Sequence, residues 1–244
     1  MPTSIRLLLL GALLLSLCSC GEKRRAQPAA VDGVLDLSNW DFEKDGIVDL
    51  KGEWRFVWEE FVDPMPSEKF REKYSGTIEV PSTWHTQPDP NREGEYFPGQ
   101  GYATYALEVL LPPGAEGEEL ALASKHHNSS VRYLMVENES GSILGQARQG
   151  TPGVSAESTV PVQVRIDTHF YRPSAQSFQV YMHLSNFHHA RGGTLSSPKL
   201  GLKAPIGQAA SSTLILGASV FGIIFIIALY HFMLFLQRRE DTAS

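Results

Sequence analysis

TYALEVLLPPG, residues 104–114, decides how this chain folds. Tyr105, Leu107, Val109 and Leu111 take every second position, and Pro112-Pro113-Gly114 ends the run. Side chains alternate across a β-strand with a period of two, so the spacing predicts a strand with one apolar face and a turn behind it. The same rhythm recurs on both sides. Trp54, Phe56 and Trp58 alternate with Arg55, Val57 and Glu59; Val131, Tyr133 and Met135 repeat the pattern; Phe178, Val180, Met182 and Leu184 form the last clear strand. Helical spacing is confined to residues 67–74, where Ser67 can cap and Phe70 and Tyr74 share a face. Short strands broken by Pro and Gly predict an all-β fold, an antiparallel β-sandwich.

Downstream the composition changes. Residues 213–236 contain no Asp, Glu, Lys or Arg, are rich in Ile, Leu and Phe, and run into Gln237-Arg238-Arg239. As a helix this stretch reaches about 36 Å, enough to cross a hydrocarbon core of about 30 Å with some tilt. At the other end, Arg6 precedes an apolar stretch, residues 7–17, that is too short to span and leads into Leu17-Cys18-Ser19-Cys20. Residues 1–20 therefore read as an export signal. Leu17 and Ser19 resemble the approach to a bacterial lipoprotein cysteine, with Cys20 as the lipidation site; plain cleavage near Ser19 is the alternative. Either route puts residues 21–212 outside the cytoplasm, and Arg238 and Arg239 on the inner face agree with the positive-inside rule. The expectation is a single-pass protein of a bacterial inner membrane with a periplasmic body and a cytoplasmic tail at 237–244. Residues 21–33, rich in Lys, Arg, Gln, Pro and Ala, read as a linker, and residues 34–205 as the folded body.

Cys18 and Cys20 are the two cysteines, and both lie in the signal. The body must therefore be held by an ordinary apolar core, which a segment of this size can build. Leaving out Arg6, Arg238 and Arg239 from the 21 Lys and Arg, and Glu240 and Asp241 from the 27 Asp and Glu, gives the exported part 18 against 25, a formal charge of −7. Such a surface argues against nucleic acid as a partner.

Five segments carry a family resemblance. LDLSNWDFEKDGIVDLKGEWRFVW from Leu35, VPSTW from Val80, GYATY from Gly101, LPPG from Leu111 and SNFHHARGG from Ser185 resemble the exported sensor domain of bacterial seven-transmembrane receptors with diverse intracellular signalling modules. Leu229-Tyr230-His231 is similar to the end of that family's first membrane helix. The resemblance implies a galactose-binding-like jelly roll, similar to that of family 2 glycosidases, where a Gly-x-Trp strand and a Val-Pro-x-x-Trp turn also occur. It further implies carbohydrate or another small envelope ligand as input, and a kinase or nucleotide cyclase as output. The sequence departs from the family at the loop Glu137-Asn138-Glu139-Ser140-Gly141, longer than the usual Asn-Gly hairpin, and it stops at Ser244, so a receptor truncated before its output is expected.

Candidate binding residues follow from residue type and position. Trp40, Trp54, Trp58 and Trp84 offer flat faces to a sugar ring, but Trp54 and Trp58 lie on the apolar face of a patterned strand and are expected in the core. Trp84, between Pro81 and Gln87-Pro88-Asp89-Pro90, is expected at a strand end or loop, as a ligand contact or as core. Asn186, His188 and Arg191, ahead of Gly192-Gly193, form a polar loop cluster near the membrane, for a ligand or for local backbone groups. With His126 and Asn128 these make the candidate ligand-binding set. The pairs His126-His127 and His188-His189 do not suggest a metal site, because neighbours on a strand point to opposite faces and no further ligand spacing completes a zinc set. No two carboxylates are paired for glycoside hydrolysis, and no serine elbow, phosphate loop or metalloprotease motif is present, so neither catalysis nor a cofactor is expected. Within the apolar run, His231 is a costly ionisable group and Ala218 with Gly222 allow close helix approach, which admits partner helices or a signalling protein. The functional expectation is a membrane-anchored sensory module; a non-signalling envelope carbohydrate-binding or scaffold protein is the alternative.

Overall fold

The computed structural model describes residues 25–90, 92–114, 118–125, 129–162, 166–171 and 175–241. The signal, Cys20, His126 and Asn128 lie outside the described residues. Strands β1 (Val34–Asp36), β2 (Val48–Asp49), β3 (Gly52–Trp58), β4 (Thr77–Val80), β5 (Gly101–Leu110), β6 (Glu119–Ser124), β7 (Ser130–Glu137), β8 (Ile143–Gln149), β9 (Ile166–Tyr171), β10 (Ser177–Asn186) and β11 (Lys199–Leu202) are joined by two helices, α1 (Ser67–Lys73) and α2 (Lys203–Asp241). The larger sheet runs β4-β3-β5-β10-β7-β8, with β1 parallel to the far end of β5; the smaller runs β2-β11-β6-β9. Apart from β1, every ladder is antiparallel, and the two sheets make a jelly-roll sandwich followed by one long apolar helix.

The alternating residues fill the space between the sheets. Trp54 and Phe56 of β3, Tyr105, Leu107 and Val109 of β5, Tyr133 and Met135 of β7, and Phe178, Val180, Met182 and Leu184 of β10 meet Val48, Leu120, Leu122 and Leu200 of the smaller sheet. Burying each large apolar side chain is worth about 1.5–3 kcal/mol, which is what a disulfide-free body relies on.

Part of the outer face of the larger sheet, across β5 and β10, is also covered. Thr104 and Ala106 of β5 and Tyr181 and His183 of β10 are buried. A strap, residues 60–65, and helix α1 lie over them, and Val62, Phe70, Ala106, Leu134, Val136 and Tyr181 form a second apolar cluster. Polar side chains pin the strap to the strands. Thr104 Oγ1 donates to Glu60 O at 2.7 Å and accepts from Val62 N at 2.9 Å; His183 Nε2 meets Val62 O at 2.9 Å; Gln179 Nε2 and the Tyr181 hydroxyl donate to Met65 O at 2.8 and 3.1 Å. A continuous strap that would otherwise bury bare carbonyls is thereby satisfied from the sheet.

Two boundaries differ from the sequence reading. Residues 25–33 are not a loose tether: Gln27 bonds Ile47 O and Asp49 N, and Ala30, 3% exposed, bridges Gly52, where a Cβ would come within 2.4 Å of Ala30 O. The helix also starts earlier than the apolar run at 213, since α2 begins at Lys203 directly after β11 ends at Leu202. Pro205 falls in its first turn, where a missing N–H costs nothing, and Ile206 packs on Ala121 and Ala123 of β6 and on Ile47. From residue 213 onward α2 is exposed almost throughout. The span Lys203–Arg238 is 36 residues long and contains an 18-residue stretch of mean hydropathy 2.5, long and apolar enough to cross a membrane.

Candidate functional site

Strand direction gathers the long connections at one end of the sandwich. Asn186 pairs with Gly101, Ser185 with Ser130, Ser124 with Ile166 and Lys199 with Ala123. The β6–β7, β8–β9 and β10–β11 connections and the entry to β5 therefore share that end. Helix α2 turns back from Leu202 over the outer face of β6, so that Ala209 and Thr213 come beside Ser124, Lys125, Ser196 and Ser197, where a groove of 340 Å³ separates the helix stem from the sandwich. The exposed part of the helix leaves from the end that carries the candidate loops.

Trp84 opens a 3-10 turn, Trp84–Thr86, in that region, yet it is core. It is 0% exposed, its indole N–H donates to the Tyr105 hydroxyl, and its ring meets Trp58 edge-on at 4.9 Å. Desolvation raises the Tyr105 hydroxyl above the usual phenol range, so that it remains a protonated acceptor for the indole. A ligand platform must be reachable, which corrects the loop-contact reading of Trp84. Trp40 and Trp54 are likewise buried, with indole N–H groups on Gly46 O and Leu50 O, and Trp58 is half-buried. The Trp residues of the Gly-x-Trp strand and the Val-Pro-x-x-Trp turn thus hold the fold.

Asn186 is a local clasp. At 1% exposure its amide N donates to Gly99 O and His189 O, both at 2.7 Å, and its Oδ1 accepts from His189 N at 3.1 Å. Both amide hydrogens are spent on the backbone and the side chain is buried, which corrects its place in the binding set. His188 reaches the neighbouring connection, Nε2 to Thr159 O at 3.0 Å, and is otherwise exposed. The Arg191 backbone meets His189 Nδ1, while its side chain is exposed. The structure therefore brings Asn186, His188 and Arg191 into one loop, with His188 and Arg191 facing solvent. Gly192 and Gly193 are required there by contact: Gly192 O accepts Trp84 N at 3.0 Å, and a Cβ on Gly193 would lie 2.6 Å from Ser82 O.

No family model matches the chain, and no curated protein matches it. Solved structures do. A β-galacturonidase of glycosidase family 2 from Eisenbergiella tayi is 14% identical over 63% of this chain and 24% of its own length, with a TM-score of 0.38. A β-glucuronidase from Bacteroides uniformis gives 16%, 63%, 17% and 0.43, and one from an uncultured Clostridium species 14%, 63%, 28% and 0.41. The chain spans between about a sixth and a little over a quarter of those enzymes' length, and their activities belong to the whole enzymes.

Among the described residues no group of three or more His, Cys, Asp or Glu is placed to hold a metal ion. A cleft of 610 Å³ lies outside the candidate set, along β7 and β8, lined by Arg132, Gln146, Ala147, Arg148, Thr151 and Pro152. Sequence reasoning missed it because Arg132 and Arg148 come together through strand register. The one available signal was Arg132 beside the apolar run Tyr133–Val136.

Proposed function

We propose that this chain is a non-enzymatic, membrane-anchored ligand-binding module, exported across a bacterial inner membrane and serving as the sensory part of a receptor. The observation that carries the reading is the seamless join of β11 to α2, with the helix stem packed on β6 beside the connections that hold His188 and Arg191. A ligand acts through such a join only by favouring one of two arrangements of sandwich and helix. With no slack between strand and helix, a shift of a connection at this end reaches the stem directly. The resemblance to receptor sensor domains, carried by the segments from Leu35, Val80, Gly101, Leu111 and Ser185, supports a carbohydrate or other small envelope ligand and a periplasmic body. Partner helices or a signalling protein would meet α2 in the bilayer.

A thermal-shift screen of the detergent-solubilised chain against sugars and envelope fragments tests the reading, because selective binding to the folded state raises the melting temperature by mass action. A saturable rise with one class of compound supports it. No rise with any compound removes the ligand-binding reading, and hydrolysis of a glycan panel removes the non-enzymatic one. Orientation is read separately: protease added to intact spheroplasts should digest the body and spare the residues after Arg238.

A further inference from the structure

We propose that the cleft along β7 and β8 binds a small ligand through an oxyanion, a carboxylate or phosphate group held between Arg132 and Arg148. The two arginines are direct cross-strand partners, on the sheet's outward side. Like charges directly opposite on neighbouring strands destabilise a sheet, so the arrangement asks for a counter-charge. Among the described residues neither arginine has a carboxylate within ion-pair distance, whereas Arg25, Arg55, Arg71 and Arg92 each do. The next residue in the same cross-strand row is His183, beneath the strap, which brings no negative charge.

The pair is also shaped. Arg132 donates to Gln146 Oε1 at 2.9 Å, which fixes one edge of its guanidinium and leaves further N–H groups for a ligand. Planar guanidinium groups match carboxylate and phosphate oxygens two at a time, a geometry lysine does not offer. Thr151 and Pro152 close the cleft, and 610 Å³ falls within the usual range for small-molecule sites, about 300–1,000 Å³. The exported part is acidic overall, so its general field repels anions, and capture depends on these two side chains. This site requires neither the signalling role nor a ligand at the helix-proximal loops.

The test uses the full chain in nanodiscs of zwitterionic lipid, in phosphate-free buffer, titrated calorimetrically with inorganic phosphate, with glucuronate and with glucose as the neutral control. Saturable binding of phosphate or glucuronate, absent for glucose and weakened about tenfold or more in both Arg132→Gln and Arg148→Gln, is expected. Which oxyanion binds more tightly separates a phosphate from an acidic sugar, and loss of binding in nanodiscs containing anionic lipid marks a headgroup as the competitor. Without ligand both variants should melt no lower than the parent, which separates lost binding from lost folding. Absence of binding by either oxyanion, equal binding of glucose, or unchanged affinity in both variants would overturn the proposal.

Discussion

The backbone of Gly192 packs closely against the indole of Trp84. A Cβ at Gly192 would fall 2.3 Å from two ring carbons and 2.5 Å from Gly99 O, closer than packed atoms approach. Gly192→Ala should therefore lower stability by about 1–3 kcal/mol, the usual cost of overpacking. Thermal melts would show this as a drop of several degrees, at about 2–4 °C per kcal/mol for a body of this size. An unchanged melting temperature would mean the loop yields freely.

Gly207 is the matched control. It lies early in α2, and a Cβ added there would meet nothing within 4 Å, so Gly207→Ala should stabilise the helix by about 0.5–1 kcal/mol. The two substitutions, chemically identical, are expected to move the melting temperature in opposite directions.

His183 makes the strap sensitive to acid. Burial holds its imidazole below the ordinary value of 6.5, Arg132 pushes the same way, and the contacts with Val62 O and Asp63 oppose them. The unfolded chain therefore binds a proton more readily than the folded one. The stability contributed by neutral His183 is complete above about 6.5 and declines as pH falls from there toward the lower folded value. Urea midpoints measured from pH 8 down to 5 should fall more steeply for the parent than for His183→Gln; identical slopes would show that His183 does not govern the strap.

Tyr181 ties the other end of that strap. Its hydroxyl donates to Met65 O and accepts from Met65 N at 3.2 Å, and burial pushes its ionisation up to about 12, so it stays protonated. Tyr181→Phe should cost about 1 kcal/mol, with the loss of a net hydrogen bond, and urea unfolding with an unchanged slope would measure it.

Ile206 fastens the helix stem to the small sheet. Ile206→Ala should cost about 2 kcal/mol and raise amide exchange across residues 203–213 while β10 stays protected. Unaltered exchange in the stem would mean that other contacts hold it.

The strands around Trp54, Tyr105, Tyr133 and Phe178 were legible because each keeps its large side chains on one face. β6 was not, since Ala121 and Ala123, which face the helix stem, blur its alternation with Leu120 and Leu122. The strap was hidden for a related reason: Thr104, Gln179 and His183 look like solvent-facing residues until a covering segment supplies them with carbonyls. Trp84 sits among prolines, which suggests exposure, and contacts distant in sequence, Trp58, Tyr105 and, from more than a hundred residues away, Gly192, enclose it. The Arg132–Arg148 pair depends on register, which residue spacing within a single strand does not encode.

The change from strand to helix between Leu202 and Lys203 gears the sandwich to the rod. An α-helix advances about 100° per residue, so inserting one residue beside this joint would swing every exposed side chain of the helix by that angle relative to the sandwich. The azimuth of Ala218 and Gly222 about the helix axis is thus set by the backbone ladder of β11, and the sandwich cannot swivel on the helix without unpicking that strand.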